Sequence, residues 1–291
     1  MKDYMQSILF VVLCSLENKI KTKYSGMKKF MTVAAVAAIS ACTAEKPEVL
    51  VLYYSQTGAT KAVAEEIASG LGADIEAFDV EEAYDGDFQQ TIQRCLTEME
   101  NNVLSPVKEL KSDLSEYDII FLGYPVWFGV AARPVLSLAQ EIKFEGKTII
   151  PFCTFGSGGL ESSTENLKEL LPGAEFREGF GIRNARLSKA PAEIGKFLVK
   201  SGFKDGEVEV LPEFSERRNV TEEDASIFNA ACGSYEMPLG NPVSTAERPV
   251  PGGKEYVFSA VGQGMDGSRA ENTIFVLALD GETPEFTKVI R

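Results

Sequence analysis

The sequence predicts an α/β fold: a doubly wound, five-stranded parallel sheet with helices on both faces, followed by a smaller α+β unit. Three observations predict it. Apolar runs over 49–54, 119–123 and 147–153 read as strands buried on both faces. Helical periodicity follows each strand, so strand and helix alternate as far as about Ser201. Beyond that point one helix precedes several successive strand-like runs, the pattern of a helix on an antiparallel sheet.

Composition narrows the function. The chain has 291 residues, 44% hydrophobic and 25% charged, ample for a core. Its formal charge of −14 argues against nucleic acid, whose phosphates need Lys and Arg. The same charge argues against a purely electrostatic hold on an anionic membrane. There is no histidine, which removes Ser-His and Cys-His catalysis and imidazole metal sites. No cysteine spacing matches a metal or redox motif, so Cys95, Cys153 and Cys232 read as small buried hydrophobes.

Residues 1–42 read as a leader, with Met27 as the start. Met27-Lys28-Lys29-Phe30 supplies positive charge, and Met31 to Ala38 is small and apolar, too short to span a bilayer. Ile39-Ser40-Ala41-Cys42 closes the segment and resembles the lipobox of bacterial lipoproteins. That resemblance implies lipidation at Cys42 and an extracytoplasmic protein held to a bacterial membrane by its lipid anchor only. A plain secretory signal is the alternative. Residues 43–47 form a short polar tether.

The first unit spans 48–203. Val49 to Tyr54 is its opening strand, and Ser55-Gln56-Thr57-Gly58-Ala59-Thr60 the loop after it. A helix follows and stops near Gly70-Leu71-Gly72. Residues 73–80 alternate as a strand nearer an edge. Asp87 caps a helix running to about Asn101, with Phe88, Ile92, Cys95, Leu96 and Met99 on one face. The strand 119–123 opens onto Tyr124-Pro125-Val126-Trp127-Phe128-Gly129, and a helix follows over 132–142. The strand ending at Cys153 opens onto Thr154-Phe155-Gly156-Ser157-Gly158-Gly159, then a helix over about 161–171. Residues 174–182 make the last strand and 189–201 the closing helix.

Loops at the carboxyl ends of adjacent parallel strands lie side by side, and ligands bind there in such folds. The first of them carries three hydroxyls and a glycine at a helix N-terminus, where unpaired N–H groups and the positive dipole end meet. It reads as a phosphate socket.

The three loops, in this order and spacing, resemble those of the flavodoxin family over about residues 48–201. The most specific part is Ser55 to Thr60, a hydroxyl residue, any residue, Thr-Gly, any residue, Thr. The resemblance implies FMN. Ser55, Thr57 and Thr60, with the backbone of Gln56, Gly58 and Ala59, would hold its phosphate. Pro125, Val126, Trp127, Phe128 and Gly129 would line the ring, with Trp127 or Phe128 against it. Thr154, Phe155, Gly156, Ser157, Gly158 and Gly159 would meet the pyrimidine side. The cofactor would carry the redox chemistry, and no side chain need act as acid or base.

Residues 204–291 form the second unit. Thr221-Glu222-Glu223-Asp224 caps a helix, and strand-like runs follow at 243–249, 254–261, 272–279 and 285–290. This part resembles the cystatin fold, a helix gripped by an antiparallel sheet. Cystatins insert a Gln-x-Val-x-Gly hairpin into proteases; here Pro249-Val250-Pro251-Gly252-Gly253 keeps only the glycine. A scaffold or partner-binding role follows rather than inhibition.

Together these readings give an extracytoplasmic FMN protein in electron transfer or quinone-type small-molecule reduction. Its redox partner or acceptor is not named by the sequence. A surface binding protein with a cofactor-free flavodoxin-like module is the alternative, and a cystatin-type inhibitor the third reading.

Overall fold

Alternation of strand and helix is realised as two sheets, seen in a computed structural model that describes residues 48–237, 239–263 and 269–291. The leader, with Cys42, lies outside the described residues. The first sheet has β1 (Val49–Tyr53), β2 (Asp74–Ala77), β3 (Ile119–Trp127) and β5 (Thr148–Phe155) in parallel. A two-residue strand β4 (Val130–Ala131) folds back on β3. The fifth position is shared by β6 (Glu175–Phe176) and β7 (Phe180–Arg183), both parallel to β5. The order is therefore β2-β1-β3-β5-β6/β7, with the chain reversing direction across the sheet between β1 and β3.

Side chains of β1 alternate between two cores because successive residues of a strand face opposite ways. Leu50, Leu52 and Tyr54 join Ile120, Leu122, Val135, Leu138 and Leu167 on one face. Val51 and Tyr53 join Val63, Ile67, Phe121, Phe152, Ile194 and Phe197 on the other. The covering helices are α1 (Ala59–Leu71), α3 (Arg133–Glu141), α4 (Leu160–Leu170) and α5 (Ala190–Lys200). Gly123 sits at the centre, where a Cβ would stand 2.1 Å from the Phe152 ring.

Two sequence expectations change. The predicted single strand over 174–182 is broken into β6 and β7. Its neighbour in β5 is Pro151, which has no N–H for the ladder, and Gly179 passes it so closely that a Cβ would lie 2.4 Å from the Pro151 carbonyl oxygen. The helix α2 (Phe88–Asn101) starts at Asp87 with a full capping box, as expected. Its apolar stripe does not face a core: only Thr91 and Cys95 are buried, and Phe88 is 75% exposed. This helix lies beside the sheet rather than on it, touching Val80, Tyr84 and Trp127 through Cys95.

The second sheet is antiparallel and follows chain order, β8 (Arg218–Asn219), β9 (Asn241–Val250), β10 (Gly253–Gln263), β11 (Arg269–Leu279) and β12 (Glu285–Ile290). Helix α6 (Glu222–Cys232) begins with the Thr221 capping box and sets Phe228 and Cys232 on Phe258, Ile274, Val276 and Phe286. Asp224 on this helix is buried and paired with Arg218 of β8. Both sheets belong to one compact unit from Pro47 to Arg291. Among the described residues no helix is long and apolar enough to cross a membrane.

Candidate functional site

The loop after β1 ends a fully buried strand and begins α1. Tyr54 donates its N–H to the Gly123 carbonyl at 3.0 Å, which ties the loop to β3. Gly58, at φ +89°, is the residue from which α1 starts. A Cβ there would meet nothing within 4 Å, so the glycine serves backbone conformation and leaves the space in front of the helix open.

Helix α1 has no side-chain cap, no proline in its first turn and no acidic residue there. The other five helices each have at least one substitute. Asp87 and Thr221 cap α2 and α6, prolines open α3 and α5, and Glu161 lies in the first turn of α4. Of the first-turn amides of α1, that of Lys61 reaches the Ser55 hydroxyl at 3.1 Å. Those of Ala59 and Thr60 meet no acceptor among the described residues. A helix start of this kind presents N–H donors and a positive dipole end to an external anion.

The hydroxyls divide. Thr57 is exposed and Ser55 half-buried. Thr60, expected at the phosphate, has its side chain elsewhere: it is 1% exposed and its hydroxyl pairs with that of Thr154 at 2.9 Å. The reason is periodic. Thr60 shares the inward face of α1 with Val63, Ala64, Ile67 and Ala68, and a buried hydroxyl needs a partner. Its backbone N–H remains at the helix start. Gln56 turns its side chain away and donates to Thr91 Oγ1 at 2.6 Å and the Tyr84 carbonyl at 3.2 Å, anchoring α2 to the loop. Next to the loop is a cavity of about 420 Å³, walled by Tyr53, Tyr54, Lys61, Phe78, Asp79 and Tyr84 among others.

The second loop is a tight hairpin. Trp127 pairs with Val130, and the two residues between them, Phe128 and Gly129, have φ of +53° and +82°. Consecutive positive φ values define a type I′ turn, whose first position ordinarily takes Asn, Asp or Gly. Phe128 sits there 53% exposed. Trp127 is half-buried instead, edge-on to Tyr54 at 5.9 Å and to Tyr84 at 5.0 Å. Of the two aromatic residues proposed for a ring contact, Phe128 is the one held free. Pro125 and Val126 are half-buried below it.

The third loop closes against the second. A Cβ on Gly159 would lie 2.6 Å from Val126 Cγ1, and Ser162 donates to the Gly129 carbonyl at 2.6 Å. Thr154 and Phe155 are buried, Gly156 is exposed, and Ser157, Gly158 and Gly159 are half-buried. The Cys153 thiol is fully buried and desolvation pushes it well above its ordinary range. It is a protonated core group, not a nucleophile.

The structure thus brings all three predicted loops together. Tyr54 and Trp127 join the first to the second, Thr60 and Thr154 the first to the third, and Ser162 and Gly129 the second to the third. It adds residues that nothing in the sequence pattern singled out. The Gly156 carbonyl accepts from Arg183 Nε at 2.8 Å, and the Ser157 carbonyl accepts from the Val289 N–H at 2.8 Å. Among the described residues no cluster of acidic and cysteine side chains stands together to hold a metal ion.

The first unit of the chain is similar to known proteins. A family model described as Flavodoxin matches residues 48–197, just over half of the 291 residues. Among solved structures, a protein of Bacteroides eggerthii proposed to be a flavoprotein is 26% identical. That match covers 55% of this chain and 100% of the other at a TM-score of 0.48. A second such protein, from Bacteroides uniformis, is 26% identical over 52% of this chain and 100% of its own, with a TM-score of 0.46. A flavoprotein of Lactobacillus acidophilus in complex with FMN is 26% identical over 50% of this chain and 98% of its own, with a TM-score of 0.43. No curated protein matches the chain.

Proposed function

The chain belongs to the flavodoxin family, and on that premise we propose that its three loops bind FMN and that it works as a redox protein. The observation that carries the reading is the start of α1, the one described helix with no cap, first-turn proline or first-turn acid. Strand order places this helix at the switch point between β1 and β3, where sheets of this topology hold FMN.

The residues present fit the group. The amides of Ala59 and Thr60, with the Thr57 and Ser55 hydroxyls, are a neutral donor set for its phosphate. No lysine or arginine is required, which suits a chain of formal charge −14. Phe128 offers an exposed aromatic face held at a strained φ, a feature that clusters at ligand clamps. Bound FMN supplies one- and two-electron redox chemistry, in electron transfer or in reduction of a quinone-type small molecule. The chain's own part is to bind, orient and tune. With no histidine in the sequence, the reading assigns it no general acid or base.

The lipobox-like segment ending at Cys42 supports an extracytoplasmic, lipid-anchored location. Changing Cys42→Ser tests it: the protein should leave the membrane fraction, and retention would end the anchor reading. The order strand, helix, four strands, with a sheet in chain order, supports a cystatin-like second unit for residues 204–291.

One observation favours a second reading, a recognition module without cofactor: the Thr60 hydroxyl and two third-loop carbonyls already have protein partners. Titration of the protein with FMN decides between them. Saturable quenching of flavin fluorescence that weakens on Thr57→Ala supports the FMN reading. No quenching by well-folded protein leaves the recognition module.

A further inference from the structure

The last strand of the second sheet is docked on the third loop of the candidate flavin site. Val289 of β12 donates its N–H to the Ser157 carbonyl at 2.8 Å. Gly158 lies so close to this strand that a Cβ would stand 2.1 Å from the Val289 carbonyl oxygen. Arg183, at the end of β7, bridges the two: Nε donates to the Gly156 carbonyl at 2.8 Å, and another guanidinium N–H donates to the Phe286 carbonyl at 2.7 Å. The guanidinium lies over the Phe286 ring at 4.1 Å and near Tyr235 at 5.4 Å. Its direct hydrogen-bond partners are backbone carbonyls rather than a carboxylate.

A trans peptide points the carbonyl of one residue and the N–H of the next in opposite directions. With the Gly156 carbonyl turned to Arg183, the Ser157 N–H points away from that guanidinium. With the Ser157 carbonyl turned to Val289, the Gly158 N–H points away from β12. Neither amide has an acceptor among the described residues. Both belong to a loop that also meets the hairpin below Phe128, Thr60 and, at the Ser157 hydroxyl, an N–H of Arg291 at 3.3 Å.

Resting on the FMN reading above, we propose that the second unit is the back wall of the flavin site. Arg183 and β12 pin the carbonyls of Gly156 and Ser157, and so aim the amides of Ser157 and Gly158 at the carbonyl edge of the flavin pyrimidine. Arg183 is a positioning residue: it acts through the loop without touching the ligand. Gly158 is a glycine for the sake of β12, not of the flavin.

The test uses the full chain and FMN. In the wild type the amide resonances of Ser157 and Gly158 should shift on FMN addition. Arg183→Ala should raise the FMN Kd about tenfold, the loss of one well-placed hydrogen bond, and shrink those amide shifts. Arg183→Lys, which cannot span both carbonyls, should fall between. Gly158→Ala, which drives β12 off the loop, should act like Arg183→Ala. Amides that stay still in a wild type that binds FMN would overturn the proposal and leave the FMN reading standing. So would wild-type affinity in Arg183→Ala. Failure of the wild type to bind FMN would overturn both. If Arg183→Ala does not fold, the wild-type amide shifts and Arg183→Lys decide.

Discussion

The hydroxyl pair between Thr60 and Thr154 gives a sharp test of how α1 is seated. Both side chains are 1% exposed, and each hydroxyl's described partner is the other, at 2.9 Å. Valine matches threonine in shape but removes the hydroxyl. Thr60→Val leaves Thr154 with a buried, unpaired hydroxyl, and Thr154→Val does the reverse. Each single change should cost about 1–3 kcal/mol, the desolvation of one orphaned polar group. Changing both removes donor and acceptor together and should lie within about 1 kcal/mol of wild type. Urea unfolding of the four proteins gives the coupling, which should exceed about 1 kcal/mol. Two singles that each cost under about 0.5 kcal/mol, or losses that simply add, would refute the pairing. A binding arm follows from the same geometry. A hydroxyl this deeply buried is closed to an outside ligand, so Thr60→Val should leave FMN affinity nearly unchanged.

Phe128→Gly should relieve the positive φ at the hairpin and raise stability by about 1 kcal/mol, while weakening FMN binding; a melting scan and a flavin titration read the two opposite effects. Because the phosphate donors are neutral and the protein strongly acidic, added salt should tighten FMN binding by screening repulsion; a loss of affinity with salt would mean that Lys61, on the cavity wall and paired with Glu65 at 3.7 Å, holds the phosphate. The hydrogen bond from Arg218 pushes the Asp224 carboxyl from its ordinary 3.8 to about 2. A lowered acid stabilises the fold above its unfolded pKa, so this contribution should be lost as pH falls from about 4 through about 2, and Asp224→Asn should flatten that part of an acid-unfolding profile. Burial pushes the thiols of Cys95 and Cys232 up to about 11 and about 12, so native protein should resist alkylation at neutral pH and react once unfolded.

The parallel sheet was legible because each central strand is apolar without a break, a pattern that only two covered faces explain. Helix starts were legible at Asp87 and Thr221, where cap and third residue form a box. The inward turn of Thr60 was readable too, since 60, 63, 64 and 67 share a helical face, but the hydroxyl-rich loop drew the residue to the ligand instead. The stripe of α2 misled because periodicity reports which residues share a face, not whether another element covers it. Docking of β12 on Ser157 and Gly158 left no trace in the pattern. It is made by a backbone amide, a backbone carbonyl and a missing Cβ, and none of these has a side-chain signature. Arg183 carried no signal either, because its partners are carbonyls more than 25 residues away in one direction and more than 100 in the other.

Charge and geometry together say what the site should reject. In water, two unit charges 10 Å apart interact by only about 0.4 kcal/mol, yet a formal charge of −14 sums many such repulsions against an approaching dianion. Lys61, on the cavity wall beside the loop, has its charge opposed by Glu65 at 3.7 Å. The amides of Ala59 and Thr60 offset the repulsion only at hydrogen-bond range and only along fixed directions. Inorganic phosphate gains that contact and nothing else. A ligand that also covers Phe128 and reaches the amides of the third loop gains apolar burial and further hydrogen bonds in the same event. An acidic surface around a neutral socket therefore selects for a phosphate attached to a large flat body, because only such a ligand collects all three loops against the long-range repulsion.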